Sequence, residues 1–192
     1  MIDRERFQFL KNKYGHWSSW AIWSEVGETP KSNIGDLSLF EGDNFLHLLN
    51  PEVVLVGLNV SRGDIKYPLG NFHDARSEGQ DYKLRFALKD SWLWGGYLTD
   101  IIKDLEQPKT GEVLRYLRAN PEVEKSNVQL FRDELSDLNA KNPTIIALGD
   151  AAFQILKRNF EKEYRVLKIL HFSSYTKLEK LRASVSSIVF ES

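Results

Sequence analysis

Residues 53–58 read VVLVGL, an unbroken apolar run that changes character at Asn59. A strand with one wet face alternates apolar and polar side chains; this run does not. It is far too short to span a membrane and is rich in β-branched residues, so it reads as a strand buried on both faces. Such strands belong in mostly parallel sheets with helices packed on either side.

The rest of the chain fits that demand. Further strand patterns lie in WLWGGYLTDII, TIIALG and YRVLKILHFSSY. Between and around them, residues 3–13, YKLRFALKDS, GEVLRYLRANPEV, VQLFRDELSDLNAKN, AAFQILKRNF and TKLEKLRASVSSIVF carry helical spacing. Strands alternating with helices predict an α/β layer fold around a central, mostly parallel sheet of four strands. The 192 residues suit one domain, with residues 1–50 as an N-terminal helical elaboration and 51–192 as the α/β core. In the first part, Trp17, Trp20 and Trp23 stand three apart, the spacing of a packing stripe on a helix. EGDNFLHLLN is a short helical pattern ended by Pro51, and residues 61–82 form a long polar, glycine-punctuated loop of the kind that often carries function.

Composition narrows the chemistry. There are no cysteines, which excludes disulfides, thiolate metal sites, iron–sulfur clusters and a cysteine nucleophile. The net charge is −1, from 26 basic and 27 acidic residues, so no global attraction to nucleic acid or anionic membrane exists. The charged N-terminus is not a signal peptide, and no apolar run is long enough to cross a bilayer. A cytoplasmic, monomeric protein without a cofactor or metal is expected.

In parallel α/β folds, ligands bind at the carboxyl ends of the strands. Here the four ends are GLNVSRG, LTDIIK, LGDAA and HFSSY, which place Asn59, Asp100, Asp150, His171, Ser173 and Ser174 at one rim. Asp150 is expected as a helix N-cap. Asp100 is expected to cap a helix or to pair with Lys103. His73 and Asp74, adjacent in the long loop, read as solvated rather than as a metal pair. Lys177, Lys180 and Arg182 read as a solvated helix face that could meet phosphates. No G-x-S-x-G, Walker A lysine or G-x-G-x-x-G occurs, so other hydrolase and nucleotide-binding classes rank last.

Taken together, these segments resemble the uracil-DNA glycosylase superfamily over roughly residues 53–175. VLVGLNVSRG is similar to the first motif, a strand ending G-x-N-P-G, at Gly57, Leu58 and Asn59. HFSSY is similar to the second, H-P-S-P, at His171 and Ser173. YLTDIIK resembles y-x-T-N-x-x-K at Tyr97, Thr99 and Lys103, and IIALGDAAFQIL resembles a further segment of the same fold. The resemblance implies a three-layer α/β/α architecture and a hydrolase of DNA repair that excises a damaged or deaminated base. It implies that Asn59 positions a water, that His171 donates to the departing base, and that Phe72 stacks on the flipped base. Ser173 and Ser174 would grip phosphate, and Gly57, Leu58 and Asp100 would line the base pocket. The chain departs from the pattern at Val60 and Phe172, where the motifs carry proline, and at Asp100, where related enzymes carry the asparagine that reads uracil. An ionised aspartate only accepts hydrogen bonds, so it repels a keto oxygen and suits an amino group. The alternative reading is a base- or nucleotide-binding protein on the same scaffold, without hydrolysis.

Overall fold

A computed structural model of the chain describes residues 2–60, 65–103, 105–173 and 176–188. Its strands are β1 (Ser19–Trp20), β2 (Asn50–Asn59), β3 (Gly96–Ile102), β4 (Thr144–Leu148) and β5 (Val166–Ile169). Its α-helices are α1 (Arg4–Tyr14), α2 (Asp81–Leu88), α3 (Thr110–Ala119), α4 (Pro121–Leu138), α5 (Asp150–Phe160) and α6 (Leu178–Ser186). The strands form one sheet in the order β1-β3-β2-β4-β5. Every pairing is parallel except the short antiparallel one between β1 and β3.

The VVLVGL run lies in β2, between β3 and β4, as its two apolar faces require. Val53 to Val56 are fully buried, each contributing roughly 1.5–3 kcal/mol of hydrophobic stabilisation. Alternation divides them. Val54, Val56 and Leu58 join a core with α1, α3, α4 and α5, whereas Val53 and Leu55 join a second core with α2 and α6. Helices therefore cover both faces of the sheet.

The sheet has five strands rather than four. Ser19 and Trp20 add an edge strand in register with Leu98 and Tyr97. A two-residue strand carries no periodicity of its own, so only its partner reveals it. The same extended backbone replaces the helix expected under the tryptophans. Along an extended chain, residues three apart face opposite ways. Accordingly Trp20 packs in the first core, edge-on to Tyr97 with ring centroids 5.1 Å apart. Trp23 packs in the second, while Trp17, in the turn ahead of the extended segment, is partly buried against the first. All three serve packing, without a helix. The N-terminal part, residues 1–50, expected as a helical elaboration, supplies among its described residues α1, this edge strand and two single-turn 3-10 helices, Ser38–Phe40 and Leu46–Leu48.

Chain order and strand order together position the site. From β2 the chain goes to β3 on one side, then crosses to β4 on the other. Connections leaving neighbouring strands in opposite directions open a crevice at their carboxyl ends, here beyond β2 and β4.

Candidate functional site

A cleft of about 860 Å³ occupies that crevice. Gly57, Leu58 and Asn59 reach it from the end of β2, and Asp100 from β3. Phe72 enters from the loop before α2, and His171 and Ser173 follow β5. Gly149 and Asp150 complete the rim after β4. Every described residue expected at the site thus lines one cavity; Ser174 lies outside the described residues.

Asn59 stitches two loops together. Its Nδ2 donates to the carbonyls of Leu105 and Gln107, both at 2.9 Å, and to Val60 at 3.3 Å. Three acceptors on that side require the NH2 group there. The side-chain carbonyl Oδ1 is left as the polar atom without a donor among the described residues.

His171 accepts at Nδ1 from the backbone N–H of Ser173 at 3.1 Å, with the Ser173 hydroxyl at 2.8 Å. Burial lowers its pKa, so the ring is neutral near pH 7, and with Nδ1 accepting, its proton sits on Nε2. The ring stacks on Phe172, 4.8 Å away at 15°. Gly149, the N-cap of α5, takes φ +91°, and a Cβ there would lie 3.0 Å from His171 Cβ. Glycine thus serves both the turn and the close approach. Asp150 is the first helical residue rather than the cap, and its carboxylate accepts from Lys168 at 2.5 Å.

Phe72 is 6% exposed and holds a left-handed backbone, φ 65°. That conformation costs a bulky residue on the order of 1–3 kcal/mol and persists only where neighbours impose it. The Trp23 indole donates to the Phe72 carbonyl at 3.1 Å, and Leu69, also left-handed, is held through its N–H by Gly15 and through its carbonyl by Ser19. The N-terminal segment therefore clamps this loop. The Phe72 ring edge lies 3.5 Å from where a Gly57 Cβ would be, and its centroid is 6.4 Å from that of Phe172.

Asp100 lines the cleft but, lying within β3, is neither a helix cap nor the carboxylate partner of Lys103. Residues three apart in a strand point to opposite faces. Lys103 Nζ reaches instead the backbone carbonyl of Asp100 at 2.6 Å, the Thr99 hydroxyl at 2.9 Å and Glu134 Oε2 at 2.7 Å. Tyr97 and Thr99 donate to Glu134 Oε1 at 2.7 and 2.9 Å. The segment YLTDIIK is thus divided: Tyr97, Thr99 and Lys103 build a buried network against α4, and Asp100 alone enters the cleft. The Asp100 side chain faces Gly57, its register partner, whose Cβ would overlap Oδ1. Burial pushes its carboxyl up to about 6, opposed by a hydrogen bond from Asn71 and by the Lys103 charge.

Two site residues escaped the sequence reading. Asn71, beside Phe72, donates from Nδ2 to Asp100 Oδ2 at 2.9 Å and to the Trp17 carbonyl at 2.7 Å. Its place next to an expected stacking residue was the available signal. Asp81, at the start of α2, is 7% exposed and lines the cleft, accepting from the Asp74 N–H at 2.7 Å. Burial, with Asp74 and Asp100 nearby, raises its carboxyl to about 7. Nothing in GQDYK distinguishes it from a solvated first-turn aspartate.

His73 is buried rather than solvated, with Nδ1 3.3 Å from the Ile34 carbonyl and its ring against Trp23 and Phe40. Burial lowers its pKa to about 4. Asp74 is partly buried and pairs with Arg76 at 2.8 Å. Among the described residues, no group of three or more potential metal ligands occurs. Lys177 and Lys180 are exposed, while Arg182 lies over the Phe86 ring at 5.3 Å, beside Asp90. Also among the described residues, no helix is long and apolar enough to cross a membrane.

No family model, curated protein or solved structure matches the chain.

Proposed function

We propose that the protein is a DNA glycosylase-like enzyme, a monomer on a three-layer α/β/α scaffold, that hydrolyses the N-glycosidic bond of a base turned out of DNA. The observation that carries this reading is the convergence of Asn59, Phe72, Asp100 and His171 on one cleft large enough for a nucleobase. These residues come from separate parts of the chain, at the end of β2, within β3, after β5 and in the loop before α2.

In this reading the base lies against the aromatic wall of the cleft and stacks on Phe72. The C1′–N bond lengthens and its electrons pass to the base, leaving an oxocarbenium-like sugar. The Nε2–H of neutral His171 donates to the charge growing on the base. A water accepted by Asn59 Oδ1 adds to C1′, and its proton leaves to solvent or to the base. The fixed amide of Asn59 makes that oxygen a rigid positioning group, since its N–H groups are held by backbone. Ser173, exposed at the rim, meets phosphate by turning its hydroxyl proton away from His171 Nδ1, which keeps the Ser173 backbone N–H as its donor.

The test is a panel of oligonucleotides, single- and double-stranded, carrying uracil, hypoxanthine, xanthine, alkylated bases and the normal bases. Cleavage of at least one is expected, with a loss of about 100-fold in Asn59→Ala, the scale set by misplacing a reactant. Absence of any cleavage by folded protein removes the hydrolytic reading. The second reading, binding without turnover, is favoured by the Asp100 carboxylate, which stands where uracil-reading enzymes carry asparagine. Retention of free bases with no base released from any oligonucleotide selects it.

A further inference from the structure

We infer that the cleft chooses its base by the N–H donors the base carries, taking an aminated ring such as cytosine or adenine in preference to its oxo counterpart, uracil or hypoxanthine. This rests on the base-pocket reading and holds whether or not the bond is cut.

Asp100 forms the floor of the cleft and is 3% exposed. Its Oδ2 accepts from Asn71, and nothing among the described residues donates to Oδ1. Asn71 faces two acceptors, the Asp100 carboxylate and the Trp17 carbonyl, so both its N–H groups point there. Its Oδ1 is then a second acceptor on a residue lining the cleft. Asn59 is oriented in the same way by backbone carbonyls, which makes its Oδ1 a third. A keto oxygen brought against these atoms finds no proton to share, and the buried carboxylate loses its water without replacement. An exocyclic amino group supplies the missing proton in a charge-assisted bond. Gly57 leaves room for the approach, since any Cβ there would collide with Asp100 Oδ1. Phe72 and Phe172 select a flat ring over a flexible amine.

Protonation supplies a second handle. The groups around the Asp100 carboxyl are Asn71 from the loop, Asp81 from α2, and Lys103 with Glu134 behind β3. Below about pH 6 the carboxyl holds its proton and offers an O–H to a keto oxygen, so selectivity falls.

Equilibrium titration of the full chain with cytosine, uracil, adenine and hypoxanthine at pH 8 and pH 5.5 tests this. Each amino base is expected to bind at least about tenfold tighter than its oxo partner at pH 8, the discrimination of one good base-edge contact. The ratio should shrink several-fold at pH 5.5, and Asp100→Asn, which adds a donor, should abolish or invert it. Equal or tighter binding of the oxo bases at pH 8 overturns the inference, as does failure of all four to bind. An unchanged ratio in a folded Asp100→Asn protein also overturns it. Should that variant not fold, a pH-independent ratio in the wild type does so. Amino-selective binding without cleavage would leave this inference standing and remove hydrolysis; preferential excision of uracil would do the reverse.

Discussion

Two buried carboxylates, one on each face of β3, have opposite fates: Glu134, which α4 contributes, and Asp100, which β3 itself carries. On one face Glu134 receives the hydroxyls of Tyr97 and Thr99 and pairs with Lys103, both charged side chains having no exposure. On the other, Asp100 receives one hydrogen bond among the described residues, from Asn71, and keeps an oxygen turned to the cleft. The first is a closed network, each of its oxygens met, and its role ends in holding α4 to the sheet. The second is held in place but incomplete, as a group awaiting a ligand is. Burial alone does not separate the two; an acceptor unmet among the described residues, at the floor of a cavity, does.

The contrast is broken most directly on its closed side. Lys103→Met leaves Glu134 buried without a countercharge, and a loss of about 3–5 kcal/mol is expected in urea unfolding. Adding Glu134→Gln, which still accepts from both hydroxyls, should recover much of it. A loss below about 1 kcal/mol for the single variant would mean that the pair is dispensable.

The open side responds in the opposite sense. The folded chain holds the Asp100 proton more tightly than the unfolded chain, with a pKa of about 6 against the ordinary 3.8. The stability linked to that proton is complete below about pH 4 and is lost as pH rises through 6. Asp100→Asn escapes this loss. It should therefore exceed the wild type by on the order of 3 kcal/mol at pH 8 and match it near pH 4. A gain that does not vary with pH would show that the carboxylate is not strained by its burial.

A smaller effect is expected where the two strands touch. Gly57→Ala forces a Cβ onto Asp100 Oδ1, whose partner oxygen is pinned by Asn71. Overpacking of this kind costs about 1–3 kcal/mol. Base binding should fall more sharply than stability, because the displaced atom is the one offered to the ligand. Equal losses would mean that the strand, rather than the site, bears the strain.

How far these features could be read in advance depended on how local they are. The unbroken apolar run of β2, and the alternation of strand and helix patterns around it, identified an α/β sheet because period and composition are local properties. Polar residues at the strand ends marked the rim for the same reason, once parallel strands place all their carboxyl ends together. The tryptophan spacing misled, since three-residue intervals stay on one face of a helix but divide between two faces of an extended chain. Lys103 was expected beside Asp100 through nearness in sequence, yet the pleat sends them to opposite faces.

By itself, then, the order of residues determined the layered architecture and the end of the sheet at which side chains gather. Only the folded chain decided which of them meet: Asn71 with Asp100, Lys103 with Glu134, and Asn59 with the carbonyls of a loop more than forty residues away. Hydrogen-bond partners across strands and loops depend on register and on the path of distant segments, and no local pattern encodes either.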